Sequence, residues 1–65
     1  KASVYRLLSE LPRSGQEVLI LHHLLGLSFL EVGQILGIAT GTAKVRAHRA
    51  IKALREKLAE EGDAT

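Results

Sequence analysis

Residues 28–58 read SFLEVGQILGIATGTAKVRAHRAIKALREKL, and this stretch decides the fold. Ser28 followed by Glu31 fits a capping box: the Ser28 hydroxyl accepts from the Glu31 amide, and the Glu31 carboxylate accepts from the Ser28 amide. The helix that starts there turns Phe29, Val32, Ile35 and Leu36 inward. It closes at Gly37, which can take the left-handed conformation of a tight exit. Ile38 and Ala39 form the turn. A second, longer helix starts near Thr40 and runs to about Glu61, where Gly62 ends it and residues 62–65 are expected to fray. A short helix, a turn opening on Gly and a second helix make a helix-turn-helix over residues 28–58. Gly33 can be read as a helix defect costing ~1 kcal/mol. Its place in the middle of the first of the two helices favours the other reading, a small residue that lets the second cross at close range.

Upstream of this unit two more helices are expected. The first covers roughly Ser3 to Leu11, with Val4, Leu7, Leu8 and Leu11 on one face. Pro12 ends it and opens the second, because a proline disfavours a helical residue before it and suits a helix start. The second helix runs from about Arg13 to Leu25, with Val18, Leu19, Leu21 (or Ile20), Leu24 and Leu25 as its apolar set. Gly15 weakens its first turn and Gly26 caps its end. The fold class is therefore all-α: a four-helix domain with a helix-turn-helix, winged-helix-like or homeodomain-like but without a wing.

The chain has 65 residues, enough for one domain over 1–65 near the lower size limit for unaided folding. With no cysteine, neither a disulfide nor a thiolate metal site can support the core. His22 and His23 are adjacent and point about 100° apart on a helix, so they cannot chelate one metal as an i,i+4 pair could. No metal and no cofactor is expected. No paired carboxylates, Ser/His/Asp arrangement or phosphate-cradling glycine loop appears, so neither catalysis nor a small-molecule substrate is expected. The longest apolar run is broken at His22-His23 and cannot span a bilayer, so no membrane partner is expected. The opening at Lys1, without methionine or signal-peptide pattern, suggests a piece of a longer protein.

Charge is concentrated in the last helix. Lys44, Arg46, Arg49, Lys52, Arg55 and Lys57 are six of the nine Lys and Arg, against the single acid Glu56 in that stretch, which leaves the rest of the chain acidic. At 100° per residue, Ala43, Ala47, Ala50, Ile51, Leu54 and Leu58 form an apolar stripe. Gly41, Thr42, Val45, Arg49, Lys52 and Glu56 lie opposite it, with Lys44 and His48 flanking one side and Arg46 the other. An ordinary solvated face is the alternative for a basic helix. Here the acids needed for i,i+4 pairing are missing from 44–55, and a helix-turn-helix precedes the charges. A groove-reading helix would place Thr42, Val45 and Arg49 deepest, with Lys44, Arg46 and Lys52 on phosphates along the rims. Arg49 suits a bidentate contact to guanine, and Val45 suits a thymine methyl or groove shape. Thr40, Gly41 and His48 are further candidate phosphate contacts, the first two at the helix N-terminus where free amides favour an anion.

From Leu11 to Leu58 the sequence resembles DNA-binding region four of bacterial sigma-70 family factors, most closely the extracytoplasmic-function (ECF) group. The most specific residues are Gly41-Thr42, Lys44, Arg46 and His48-Arg49-Ala50, then Leu54-Arg55. Gly26-Leu27-Ser28-Phe29 and Leu36-Gly37-Ile38 support them. The resemblance implies a bacterial cytoplasmic protein that recognises promoter DNA at the −35 element as part of a sigma factor. It also implies docking on the β flap of the RNA polymerase core and, in many such factors, inhibition by an anti-sigma factor. By position, Lys44, Val45, Arg46 and Arg49 match residues that touch bases or backbone, and Thr42 matches one near the phosphates.

The sequence departs from the family at several points. Ala39 stands where a serine N-cap is usual, so Thr40 is expected to shift the helix start by one residue. Gln16 replaces a frequent Arg, which weakens a backbone contact from the second helix. Val45 replaces a serine or other polar residue. Leu25 and Leu30 stand where relatives carry polar groups, and with Leu24 and Leu27 they make either extra core or a partner surface. Two alternatives stay open: a sigma-like interaction module that binds an anti-sigma factor or the flap without reading DNA, and a LuxR-type output domain. The latter usually places its histidine two residues after the recognition-helix Lys, whereas His48 stands four after Lys44.

Overall fold

The computed structural model describes residues 4–63, with side chains described for residues 5–60. The chain is helical in four pieces: α1 (Val4–Ser9), α2 (Arg13–Leu19, running on into a π turn over Ile20–Leu24), α3 (Phe29–Leu36) and α4 (Thr40–Asp63). The described residues contain no strand. The expected start of α1 at Ser3 and the inward role of Val4 lie outside the described residues and side chains. Leu7 and Leu11 are buried as expected, and Leu8 packs beside Leu11.

Pro12 separates α1 from α2. Before it, the Glu10 and Leu11 amides donate to Leu7 and Leu8 carbonyls at 3.1 Å, a tightened last turn. Pro12 itself is extended (φ −55°, ψ 147°), and its carbonyl accepts from Gly15 and Gln16. Gln16 has a use that the sequence did not disclose. Its Nε2 donates to the Ser9 carbonyl at 3.1 Å and the Leu11 carbonyl at 2.7 Å, supplying donors to acceptors left over at the end of α1.

The second helix changes pitch where an unbroken α-helix was expected. The Leu25 amide donates to Ile20 O at 3.0 Å, an i→i−5 bond. The wider turn rotates the next residues out of the α register, so Leu24 and Leu25 are 60% and 64% exposed instead of joining the core. Val18 and Leu19 remain inward; Leu21 is half-buried and Ile20 is exposed. Gly26 then takes φ 75°, and the Leu27 amide closes on Leu21 O at 3.1 Å.

The capping box of α3 forms in full: Glu31 N–H to Ser28 Oγ at 3.1 Å, and Ser28 N–H to Glu31 Oε1 at 2.9 Å. The bond from the Ser28 backbone amide, with the serine side chain second, holds the Glu31 carboxyl below its ordinary value. Gly37 ends the helix at φ 70°, ψ 35°. Val32 is fully buried, with Phe29 and Leu36 packed beside it; Ile35, expected inward, is 60% exposed. Gly33 is small because the turn requires it. A Cβ there would sit 2.6 Å from Ile38 O and 3.5 Å from Ala39 C and Thr40 N.

The fourth helix packs against each of the others. Its first bond runs from Ala43 N–H to Ala39 O at 3.0 Å, so Ala39 keeps the N-cap place without a side-chain cap and Thr40 is the first helical residue. The helix start therefore does not shift to a Thr40 cap. Nor does Gly62 end the helix, which continues to Asp63; fraying at 64–65 falls outside the described residues. The core has two clusters, Val18–Val32–Ala43–Ala47 and Leu11–Leu19–Ala50. Gly15, read from sequence as a weak first turn, is buried there because its place beside Ala50 leaves a Cβ only 3.0 Å from the Ala50 Cβ.

Candidate nucleic-acid interface

Three alanines and their neighbours decide which side of α4 is free. Ala43, Ala47 and Ala50 are buried and Ile51 and Leu54 half-buried, while Leu58 has emerged to 41% exposure. Opposite them, Gly41, Thr42, Val45, Arg49, Lys52 and Glu56 are all exposed, as are Lys44 and His48 on one flank. Val45 is 47% exposed, although nothing polar requires a valine to face water. Arg46, on the other flank, is half-buried. It lines a shallow cleft with Arg49 and the start of α2 (Pro12, Ser14 and Gly15). The two arginines thus share one recess, which helix periodicity could not show because its other wall comes from thirty residues earlier in the chain.

Thr40 is half-buried, whereas Gly41 and Thr42 present the open end of the helix. The long-range placement of the remaining cations separates them. Lys57 Nζ meets Glu10 Oε1 at 3.3 Å, and the other Glu10 oxygen meets Arg6 at 3.1 Å. Lys57 is thereby turned toward α1. These pairs are largely exposed and add little stability, but they orient the side chain.

The leucine set divides. Leu24, Leu25 and Leu30 are exposed, Leu30 by 58%, while Leu27 packs against the main core. Leu27 is half-buried, and its amide bonds to Leu21 O, so it is shared between the core and the surface. Ile20 and Ile35, which the helical period assigns to apolar faces, are exposed as well. His22 also has a structural use: its Nδ1–H donates to Leu27 O at 2.7 Å, and its ring stacks on Phe29 with centroids 3.8 Å apart. Among the described residues no group of three or more His, Cys, Asp or Glu could hold a metal ion.

A basic, solvent-facing second helix on a glycine-closed turn is the arrangement that the sequence comparisons then place. Residues 1–54 match the family described as sigma-70, region 4. The chain belongs to that family. Among similar proteins, the ECF RNA polymerase sigma factor ShbA of Streptomyces griseus is 43% identical over 50 residues, covering 77% of this chain and 26% of that protein. SigW of Bacillus subtilis, also an ECF RNA polymerase sigma factor, is 43% identical over 49 residues, covering 75% and 26%. The RNA polymerase sigma factor CarQ of Myxococcus xanthus is 42% identical over 53 residues, covering 82% and 30%. The chain thus spans between a quarter and a third of the length of these relatives. No solved structure gives a significant match. Membership of the sigma-70 region 4 family sets aside the LuxR-type alternative.

Proposed function

We propose that this region 4 domain reads the promoter −35 element as part of an ECF-type sigma factor that directs RNA polymerase to transcription initiation. One observation carries the reading: the face of α4 left open by the core holds Thr42, Val45 and Arg49 in a strip flanked by Lys44, Arg46 and Lys52, without an acid before Glu56. In this reading Arg49 addresses a guanine edge, Val45 a thymine methyl, and Thr42 the start of the groove. Lys44, Arg46 and Lys52 hold phosphates, with Thr40, Gly41 and His48 as supporting contacts. Arg46 approaches the backbone together with the start of α2, because the two share a recess.

The exposed Leu24, Leu25 and Leu30 favour a second role beside the first. They suit a protein surface, either the β flap of the polymerase core or an anti-sigma factor. No helix among the described residues is long and apolar enough to cross a membrane. The deciding experiment titrates the domain against a fluorescent −35 duplex and a scrambled duplex at several salt concentrations, alone and within polymerase holoenzyme. Preference for the −35 duplex in both settings supports the reading; equal binding of the two duplexes refutes it.

A further inference from the structure

All three histidines of the chain, His22, His23 and His48, come together at one open cleft of about 490 Å³ between the π turn and the side of α4. Lys52 and Arg55 complete its cationic lining, and Phe29 lies beside His22. Thus five groups that are cations or can become cations share one recess, although they come from two helices distant in sequence. No carboxylate lines it. The acids described on the surrounding helices are Glu17, Glu31, Glu56 and Glu60, and Glu31 is engaged with the Ser28 amide.

The two imidazoles of the π turn are positioned before any ligand arrives. A carbonyl oxygen can only accept, so the 2.7 Å contact to Leu27 O puts a proton on His22 Nδ1 and leaves Nε2 as the ring nitrogen available to a ligand. Stacking on Phe29 at an interplanar angle of 14° fixes that ring, and His23 meets it edge-on at 4.7 Å. On α4, His48, Lys52 and Arg55 continue a row begun by Lys44, all within a narrow sector of the helix. The row runs about 16 Å along the axis, long enough to follow several nucleotides at ~3.4 Å per step of one strand.

We propose that this cleft is a phosphate site that seats the nucleic-acid backbone beside the base-facing strip, with Lys52, Arg55 and the histidine nitrogens as donors. The proposal rests on the promoter-reading function of α4 and extends the contacts from one helix to the π turn. Nucleic acid fits better than an acidic peptide because the cleft is one end of a row that passes Lys44 at the border of the base-facing strip. An imidazole ordinarily changes its charge between pH 5 and 8, so histidine participation has a signature that lysine and arginine cannot produce.

The test measures binding of the −35 and scrambled duplexes from pH 5.5 to 8 across a salt series, for the wild-type chain and a His23→Gln/His48→Gln double variant. Both residues are exposed, and His22 is kept because it supports the Leu27 loop. For the wild type, the slope of log K against log salt steepens by about 1–2 between pH 8 and pH 5.5, at ~0.9 per added phosphate contact, equally for both duplexes. In the double variant most of the steepening is lost, His22 alone being left to supply it. Preference for the −35 duplex without any pH-dependent steepening overturns the phosphate site and leaves promoter reading intact. Equal binding of the two duplexes with the steepening retained does the reverse. Absence of duplex binding throughout overturns both. Tighter binding of polyglutamate than of duplex at pH 5.5, lost in the double variant, overturns the nucleic-acid assignment in favour of an acidic protein.

Discussion

Replacing Gly33 with alanine tests the packing that sets α4 against α3. In an open helix interior this change stabilises by about 1 kcal/mol, because alanine loses less backbone freedom on folding. At Gly33 the new Cβ would lie 2.6 Å from Ile38 O, inside the 3.0 Å that real Cβ atoms essentially never cross. The obstacle is backbone, so it cannot rotate away as a side chain could. It also belongs to the turn that fixes the angle between the two helices: Ile38 donates its amide to Gly33 O at 2.9 Å. Overpacking of this kind costs about 1–3 kcal/mol, and an unyielding neighbour places it at the upper end. The net loss is then about 2 kcal/mol, against a total stability of about 3–10 kcal/mol for a chain of this size. The midpoint of thermal unfolding followed by far-UV circular dichroism should fall by about 8–16 °C. Gly41→Ala is the control, because nothing lies within 4 Å of its added Cβ; it should hold or raise the midpoint. A Gly33→Ala domain that melts at or above the wild type would show that the close approach to the turn does not constrain this fold.

Three further outcomes are expected. Glu31→Gln should flatten the acid limb of a stability–pH profile. The Glu31 carboxyl is held below its ordinary value by the Ser28 amide, so its contribution is complete above the ordinary glutamate range and is lost as pH falls through the lowered value; an unchanged acid limb refutes the capping role. Arg49→Ala should lose about 1–3 kcal/mol of preference between −35 and scrambled duplexes, whereas Lys52→Ala should weaken both alike and reduce the salt slope by about 1. Retained discrimination in Arg49→Ala means that the base-facing strip is wrongly placed. Leu24→Gln/Leu25→Gln should reduce binding to polymerase core in a pull-down or titration with duplex affinity unchanged; undiminished core binding removes that surface from consideration.

The sequence disclosed what is local. The Ser28–Glu31 box, the left-handed exits at Gly26 and Gly37, and the three-alanine stripe depend on spacings of a few residues, and each forms as read. What it hid depends on partners far along the chain or on a change of pitch. Gly15 looked like a weakness because Ala50, its neighbour in space, lies thirty-five positions away. In the sequence Gln16 reads only as a lost arginine, since its acceptors arise where α1 ends. The π turn has no composition of its own, and an α-helical period carried through it sends Leu24 inward instead of outward. Ile35 fails for a related reason: α3 is short, and its buried sector is narrow enough to be filled by Val32, Gly33 and Leu36. For the candidate interface, periodicity found the open face of α4. It could not bring Arg46 to α2, Lys57 to Glu10, or His48 to the two histidines of the π turn.

The alanines beneath α4 have a mechanical consequence. Ala43, Ala47 and Ala50 put one methyl group each on the α4 side of the seam, against the stiff side chains of fully buried Val18 and Val32 and, at Ala50, against Gly15, so little deformable material lies at the contact. A thick layer of leucines can redistribute an extra methylene among many rotamers; this seam cannot. An enlargement at Ala47 would translate the whole helix outward and displace Val45 and Arg49 together, as one rigid template. Productive contacts of this kind are held to within ~0.5 Å, so the seam acts as the gauge that sets how deeply the template reaches. Changes on the hidden side of the helix should therefore alter which duplex is preferred, even though they touch no nucleotide.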